Sequence, residues 1–111
     1  MKDNIIPFGY GDSLVRVIKN ETTGEPLWVA KDICDILEYK NSRDAISKLD
    51  DDERGESEIP TPSGIQKMSV INESGLYTLI LRSNKPEAKK FKKWVTSEVL
   101  PSIRKTGSYG V

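Results

Sequence analysis

The period of the apolar positions changes along the chain and predicts an α+β domain. Residues 1–11 are expected to be an irregular lead-in. Apolar and β-branched residues at 14–18 and 26–29, on either side of a polar turn at 20–25, predict a β-hairpin. The next apolar residues have the 0, 3, 4, 7 spacing of one helix face, and these residues are Ala30, Ile33, Cys34 and Leu37.

A second short helix is predicted directly after the first. Residues 39–41 form the break, and Asn41 or Ser42 is suited to cap the new helix by accepting a bond from a free backbone N–H. Two short helices joined by a few residues are typical of a helix-turn-helix, whose second helix enters the DNA major groove. The buried stripe of this second helix is predicted to contain Ala45, Ile46 and Leu49.

A second hairpin is predicted after an acidic run. Residues 50–53 are four consecutive acids, which we interpret as a solvated helix end rather than as metal ligands, because neighbouring carboxylates repel each other. Strands at 56–60 and 65–71 flank residues 61–64, where proline second and glycine fourth favour a type I turn. A hairpin that follows two helices has the position of a wing.

Two C-terminal helices are predicted between residues 70 and 105. Asn72 is a favourable N-cap, and Glu73 places negative charge near the positive end of the first helix. Pro86 suits the first turn of the second helix, and Pro101 should break or kink that helix. The predicted apolar stripes are Leu76, Leu79 and Ile80, then Ala88, Phe91, Val95 and Val99, with Trp94 on the flank and Ile103 folded onto the core.

The length and composition predict one domain in a reducing compartment. A chain of 111 residues with 36% hydrophobic content can bury a core without disulfides or metals. No apolar run approaches the roughly 20 residues that cross a bilayer, and no signal-peptide pattern opens the chain. Its single cysteine cannot form an internal disulfide. We therefore expect a cytoplasmic protein without membrane association.

The charges cancel in sum but are divided along the chain. Residues 1–60 carry 8 Lys/Arg and 14 Asp/Glu, a net charge of −6, whereas residues 61–111 carry 9 and 3, a net charge of +6. This division favours a positive surface that meets an anion, although charges can also segregate without functional consequence. An isoelectric point near 6.3 argues against a strong, non-specific nucleic-acid binder.

Catalytic and metal chemistry have little support in the sequence. The chain has no histidine, so the commonest general base near neutral pH is absent. One cysteine without histidines cannot form a tetrahedral zinc site, and the glycines make no phosphate-binding fingerprint. Cys34 lies on an apolar stripe and is interpreted as a small buried hydrophobe. We predict no enzymatic activity, no cofactor and no metal.

Three groups of residues could supply the cations and polar side chains that DNA phosphates and base edges require. In the turn and second helix, Arg43 could hydrogen-bond guanine and Asn41 could hydrogen-bond adenine. Asp44 and the acids at 50–53 would repel phosphate at the same place. Trp28, Trp94, Tyr77 and Phe91 are interpreted as core residues rather than base-stacking platforms. The groups are Lys40, Asn41, Ser42, Arg43, Ser47 and Lys48 in the turn and second helix; Ser63, Gly64, Gln66 and Lys67 near the wing turn; and Lys85, Lys89, Lys90, Lys92 and Lys93 on the last long helix.

Several ordered blocks of sequence together resemble the Bro-N domain. They are WVAKDIC at 28–34, LEY at 37–39, NESGLYTLI at 72–80, KPEAKKFKKWV at 85–95 and EVLPSIRK at 98–105. Bro-N is the domain shared by baculovirus BRO proteins and by phage and prophage antirepressors. The resemblance implies DNA binding and a position at the N-terminus of a longer protein. It predicts a domain over residues 1–107, with 108–111 as a tail or the start of a linker.

The resemblance and the charge division predict a DNA-binding module of a phage or prophage antirepressor-like transcription regulator. Such a module would hold double-stranded DNA through phosphate contacts, with limited base readout from the second helix. The alternative is a protein-interaction module that engages a repressor or mediates homo-oligomerisation without contacting DNA. The neutral net charge and the acidic N-terminal half favour this alternative. The residues leave open which of the three groups meets DNA.

Overall fold

A five-stranded antiparallel sheet in the order β1-β2-β3-β5-β4 forms one layer of the fold. The computed structural model describes residues 4–20 and 22–103. The β2–β3 pair confirms the first predicted hairpin, and β4–β5 confirms the second, which begins two residues earlier than expected. The strands are β1 Asn4–Tyr10, β2 Ser13–Lys19, β3 Pro26–Val29, β4 Arg54–Thr61 and β5 Gly64–Ile71.

Helices form the second layer and confirm the predicted α+β class. The helix-turn-helix-like arrangement of α1 and α2 stays a prediction, although the two helices do pack on each other. No helix in the described part of the chain is both long and apolar enough to cross a membrane. The helices are α1 Ala30–Ile36, α2 Ser42–Ser47, α3 Glu73–Arg82, α4 Pro86–Trp94 and α5 Leu100–Ile103; a 3₁₀ turn spans Asp51–Glu53, and a π-helical turn at Val95–Val99 joins α4 to α5.

The N-terminal lead-in is a strand, so the prediction of irregular structure is wrong for residues 4–10. Every residue of β1 pairs with β2, from Asn4 opposite Lys19 to Tyr10 opposite Ser13. An edge strand pairs on one side only and therefore tolerates a proline, here Pro7. Residues 1–3 of the predicted lead-in lie outside the described residues.

The core lies on both faces of the sheet. Val17 on β2 and Trp28 on β3 pack against the helices, whereas their neighbours Ile18 and Val29 belong to a smaller cluster. Because successive strand residues point to opposite faces, this smaller cluster lies on the face away from the helices. In the predicted stripe of α2, Ala45 and Leu49 are buried, but Ile46 is only partly buried and Leu49 follows the end of the helix. The other predicted helix stripes are confirmed, since these residues are buried: Ala30, Ile33, Cys34 and Leu37; Leu76, Leu79 and Ile80; and Ala88, Phe91, Val95, Val99 and Ile103.

Glu53 corrects the interpretation of the acidic run as a solvated loop. Its carboxylate is buried and accepts bonds from Ser74 Oγ at 2.6 Å, Thr78 Oγ1 at 3.2 Å and the backbone N–H of Asp50 at 3.0 Å. The bond from Ser74 is the main reason that the pKa of Glu53 is lowered. These bonds fix the 3₁₀ turn to α3 and so determine where β4 begins. The other three acids of the run are exposed as expected.

Two further features of the helices depend on residues outside the apolar stripes. Asp32 lies off the apolar stripe of α1, and its carboxylate turns inward to Arg16. Pro101 does not break the helix, because helical conformation continues to Ile103, so that part of the prediction is wrong, while the predicted kink stays a prediction. The π-helical turn directly before Pro101 widens the backbone where the proline ring would otherwise meet a carbonyl of the preceding turn. The predicted tail at 108–111 lies outside the described residues.

Candidate nucleic-acid interface

A groove between α2 and the β4–β5 hairpin unites two of the three predicted groups. We call it the α2–hairpin groove, and its volume is about 380 Å³. Ser42, Arg43 and Ser47 come from the first group, and Gln66 and Lys67 come from the second. The other wall residues are Lys31, Ile46, Arg54, Met68 and Ser69.

Capping and core packing position α2 along this groove. The Asn41 side-chain oxygen accepts the backbone N–H of Asp44 at 3.1 Å, which confirms the predicted N-cap. Ala45 is buried in the core, so the opposite side of this short helix presents Arg43 and Ser47 to solvent. The Asn41 oxygen is therefore engaged within the protein, whereas the Arg43 guanidinium is exposed at the groove.

The four cations of the groove differ in whether they have a carboxylate partner. Lys31 pairs with Asp35 at 3.4 Å, and Arg54 pairs with Asp51 at 3.0 Å. Within the residues that the structure describes, Arg43 and Lys67 have no ion pair within 4.0 Å. These two side chains lie on α2 and on β5, respectively, so they face the groove from its two walls. Two unpaired cations at one cleft are suited to hold a phosphate group.

The remaining members of the first two groups lie outside the groove wall. Lys40 is exposed in the turn before α2, and Lys48 pairs with Asp44 at 3.1 Å. At the hairpin tip, Ser63 Oγ accepts a bond from Gln66 Nε2 at 3.2 Å, and Gly64 has a φ of +118°, which favours glycine. Beside them, Ile65 is 70% exposed.

The third group forms a separate surface on and before α4. Lys89, Lys90, Lys92 and Lys93 are exposed, and no ion pair to a described residue engages them. Lys85 lies 3.6 Å from a carboxylate oxygen of Glu38. None of these five lysines, which we call the α4 lysine face, belongs to the groove wall. The fold therefore presents two distinct basic surfaces.

Lys31 and Arg54 are groove residues that sequence reasoning missed. Lys31 is on the polar side of α1, and Arg54 directly follows the acidic run, so each looked like ordinary surface. The available signal was their position in the sequence, because Lys31 belongs to the first predicted helix and Arg54 lies just before the second predicted hairpin. Lys31 lies at the start of α1 and Arg54 at the start of β4, and a helix pair followed by a wing would bring these two elements close together.

The buried aromatic and thiol groups follow the predictions made for them. Trp28 and Phe91 are fully buried, while Trp94 and Tyr77 pack partly buried against the same core. Cys34 is also buried, and burial raises the pKa of its thiol to about 11. Cys34 is thus a protonated core residue at neutral pH.

This arrangement is a small α+β domain that presents a basic groove beside a hairpin. The chain belongs to the BRO family: the model of the BRO family N-terminal domain (Bro-N) matches residues 14–101. This match confirms the resemblance seen in the sequence blocks.

Relatives of the chain occur in a bacterium and in invertebrate iridescent viruses. An uncharacterized protein of Haemophilus influenzae is 47% identical over 105 residues, which cover 92% of this chain and 51% of that protein. Putative Bro-N domain-containing protein 289L of Invertebrate iridescent virus 6 is 36% identical over 109 residues, covering 81% of this chain and 26% of that protein. Protein 019R of Invertebrate iridescent virus 3, with the same description, is 35% identical over 111 residues, covering 79% and 27%.

The chain thus spans about half the length of the bacterial relative and about a quarter of the viral ones. No solved structure matches the chain.

Proposed function

We propose that this chain is a non-enzymatic module that binds double-stranded DNA in the α2–hairpin groove. One observation carries the proposal: Arg43 and Lys67 come from separate elements, lie on the two walls of one groove, and have no ion pair among the described residues. Cations without a protein partner gain most from meeting a phosphate, because nothing must be displaced. Membership of the BRO family supports the same proposal.

The two walls would have different roles in the complex. Lys67, on the hairpin, would contact the sugar-phosphate backbone, which fixes the position of the protein without reading the sequence. Arg43, on the exposed side of α2, has the planar donor fork that fits guanine O6 and N7 in the major groove. Ser63 and Gly64 at the hairpin tip would approach the backbone of the neighbouring turn. Base readout would be limited to the short α2.

The surrounding acids would keep the affinity moderate and dependent on salt. Asp44 and Asp51 lie beside the groove, where they pair with Lys48 and Arg54, and the net charge of the whole chain is zero. Long-range attraction to DNA is therefore weak, and binding would depend on a few close phosphate contacts.

Titration of a labelled duplex of about 20 base pairs with the 111-residue chain tests the proposal. With two to four phosphate contacts, log K should fall against log salt with a slope of about −2 to −4, since each contact contributes about −0.9. A chain that shows no binding at 20–50 mM salt, while its circular dichroism shows it to be folded, would contradict the proposal.

A protein-interaction module is the second candidate, and exposed apolar side chains favour it. Leu81 on α3 and Ile65 at the hairpin tip are both largely exposed, as is Leu14 on β2. Such side chains could contact a repressor or a second copy of the chain. Light scattering at several concentrations would detect self-association. Capture of a repressor by the wild type but not by Leu81→Ser, without DNA binding by either, would favour this candidate.

In the longer proteins of this family the module would serve a phage- or virus-encoded transcription regulator of the antirepressor type, acting in the cytoplasm. DNA binding by the module would place the rest of such a protein near its target.

A further inference from the structure

The charge of the surface changes sign where the α2–hairpin groove meets a neighbouring cavity. A second cavity of about 340 Å³ adjoins the first and shares Ile46, Arg54 and Ser69 with it. The first cavity carries Arg43 and Lys67, whereas Asp51 and Glu56 line the second. Arg54 lies at the junction between the basic and the acidic halves.

Two contacts hold the Arg54 guanidinium against the protein surface. Nη2 donates to Asp51 Oδ1 at 3.0 Å, and Nε donates to the backbone carbonyl of Leu49 at 3.2 Å. The Asp51 side chain is 98% exposed, whereas that of Arg54 is 37% exposed. Asp51 and the Leu49 carbonyl thus occupy the Nε–Nη2 edge of the guanidinium, which is one of the two edges that could bind a phosphate through two hydrogen bonds.

We propose that Asp51 keeps Arg54 from binding phosphate and thereby lowers the affinity of the groove for DNA. This proposal rests on the proposed function. Exchanging one anionic partner for another gains Arg54 little, because both carboxylate and phosphate satisfy the same donors. The displaced Asp51 carboxylate would also remain near the phosphate and repel it. DNA would therefore be held by Arg43 and Lys67, while Arg54 stays with Asp51.

Asp51→Asn tests this directly, because it removes the charge with little change in shape. Asp50, the N-cap of the 3₁₀ turn, is left in place, so the turn should persist. We expect DNA binding to tighten about two- to fivefold, the range of one exposed ion pair. We also expect a slope of log K against log salt that is steeper by about 0.9, because Arg54 gains a phosphate. Glu98→Gln is the matched control: it removes one charge at an exposed residue outside the groove and should change affinity by less than about twofold.

Arg54→Gln, made in the wild type and in Asp51→Asn, shows whether the gain in DNA affinity depends on Arg54. In the wild type it should change affinity by less than about twofold, since Arg54 does not touch DNA. In the Asp51→Asn background it should abolish the gain and the steeper slope. Melting temperatures of all variants show whether each remains folded.

Two results would overturn the proposal while leaving DNA binding itself intact. One is an Asp51→Asn variant that binds no tighter than Glu98→Gln; the other is an Arg54→Gln variant that loses as much affinity as Lys67→Gln. Absence of binding by both the wild type and Asp51→Asn would instead overturn the proposed function, and this proposal with it. Binding by Asp51→Asn alone would support the competition between Asp51 and phosphate.

Discussion

Arg16 on β2 and Asp32 on α1 form a forked ion pair that joins the sheet to the helix beside the groove. Arg16 Nε and Nη2 donate to the two carboxylate oxygens of Asp32 at 2.9 and 2.8 Å, and the backbone N–H of Arg16 adds a third bond at 2.9 Å. The side chains are only 24% and 10% exposed. Hydrogen bonding of the Arg16 guanidinium to the Asp32 carboxylate raises the pKa of Arg16. Arg16 Nη1 also lies 3.9 Å from Met68 Sδ in the groove wall.

Asp32→Asn should destabilise the fold. The amide has no charge and keeps only one of the two oxygens that accept bonds from Arg16. Hydrogen bonds to charged groups are worth about 1.5–3 kcal/mol each in measured series, so we expect a loss of about 2 kcal/mol in the free energy of unfolding. Asp35→Asn, the same change on the same helix at an exposed pair, should cost under about 0.5 kcal/mol. Urea denaturation measures both, and equal losses would show that the Arg16–Asp32 pair has no special role.

Glu53 should make stability depend on pH in the acid range. Its pKa is lowered in the folded state, first by the bond from Ser74, so the carboxylate contributes stability above its unfolded pKa. That contribution should disappear as pH falls from about 4.5 through the lower, folded pKa. Glu53→Gln should flatten this part of the curve of unfolding free energy against pH. A variant that loses stability toward low pH as steeply as the wild type would contradict the assignment.

Gly75→Ala should destabilise the contact between α3 and the 3₁₀ turn. An added Cβ would lie 2.8 Å from the backbone oxygen of Glu53. Alanine in a helix gains about 1 kcal/mol over glycine, but overpacking costs about 1–3 kcal/mol, so we expect a net loss of up to about 2 kcal/mol. Gly55→Ala meets nothing within 4 Å and serves as the control. A melting temperature of Gly75→Ala equal to or above that of the wild type would contradict the expected clash with the backbone oxygen of Glu53.

Tyr10 should make stability depend on pH in the alkaline range. Its hydroxyl donates to Glu87 on α4, and burial, with help from that bond, raises the pKa of Tyr10 to about 12. The folded state therefore retains the phenolic proton more tightly, so this contribution to stability is present below pH 10 and is lost between about pH 10 and 12. Tyr10→Phe keeps the ring packing against Phe91 and Trp94 and should reduce the loss. An unchanged alkaline slope would contradict this.

Local patterns predicted most elements because their signals are local. The N-cap at Asn72 and the apolar stripe of α1 depend on residues within one or two turns. The sequence pattern did not predict strand β1, because Pro7 and Gly9 are poor strand formers. Only the pairing with β2 shows that an edge strand tolerates them.

The groove could not be predicted in the same way. Arg43 and Lys67 are far apart in sequence, and nothing local indicates that α2 packs beside β5. The inward turns of Asp32 and Glu53 likewise depend on distant donors, on β2 and on α3. Charge alone also cannot rank the groove above the α4 lysines, whereas the packing around α2 distinguishes the two surfaces.

Comparison of two double variants in the DNA titration tests the central claim most directly. Arg43→Gln/Lys67→Gln and Lys89→Gln/Lys93→Gln each remove two positive charges from exposed residues, the first pair in the groove and the second on the α4 lysine face. The account predicts that the groove variant lowers the magnitude of the salt slope by about 0.9, through the lost phosphate contact of Lys67, and weakens binding at least about tenfold, while the α4 variant keeps the wild-type slope. An α4 variant that loses the slope while the groove variant keeps it would contradict the account.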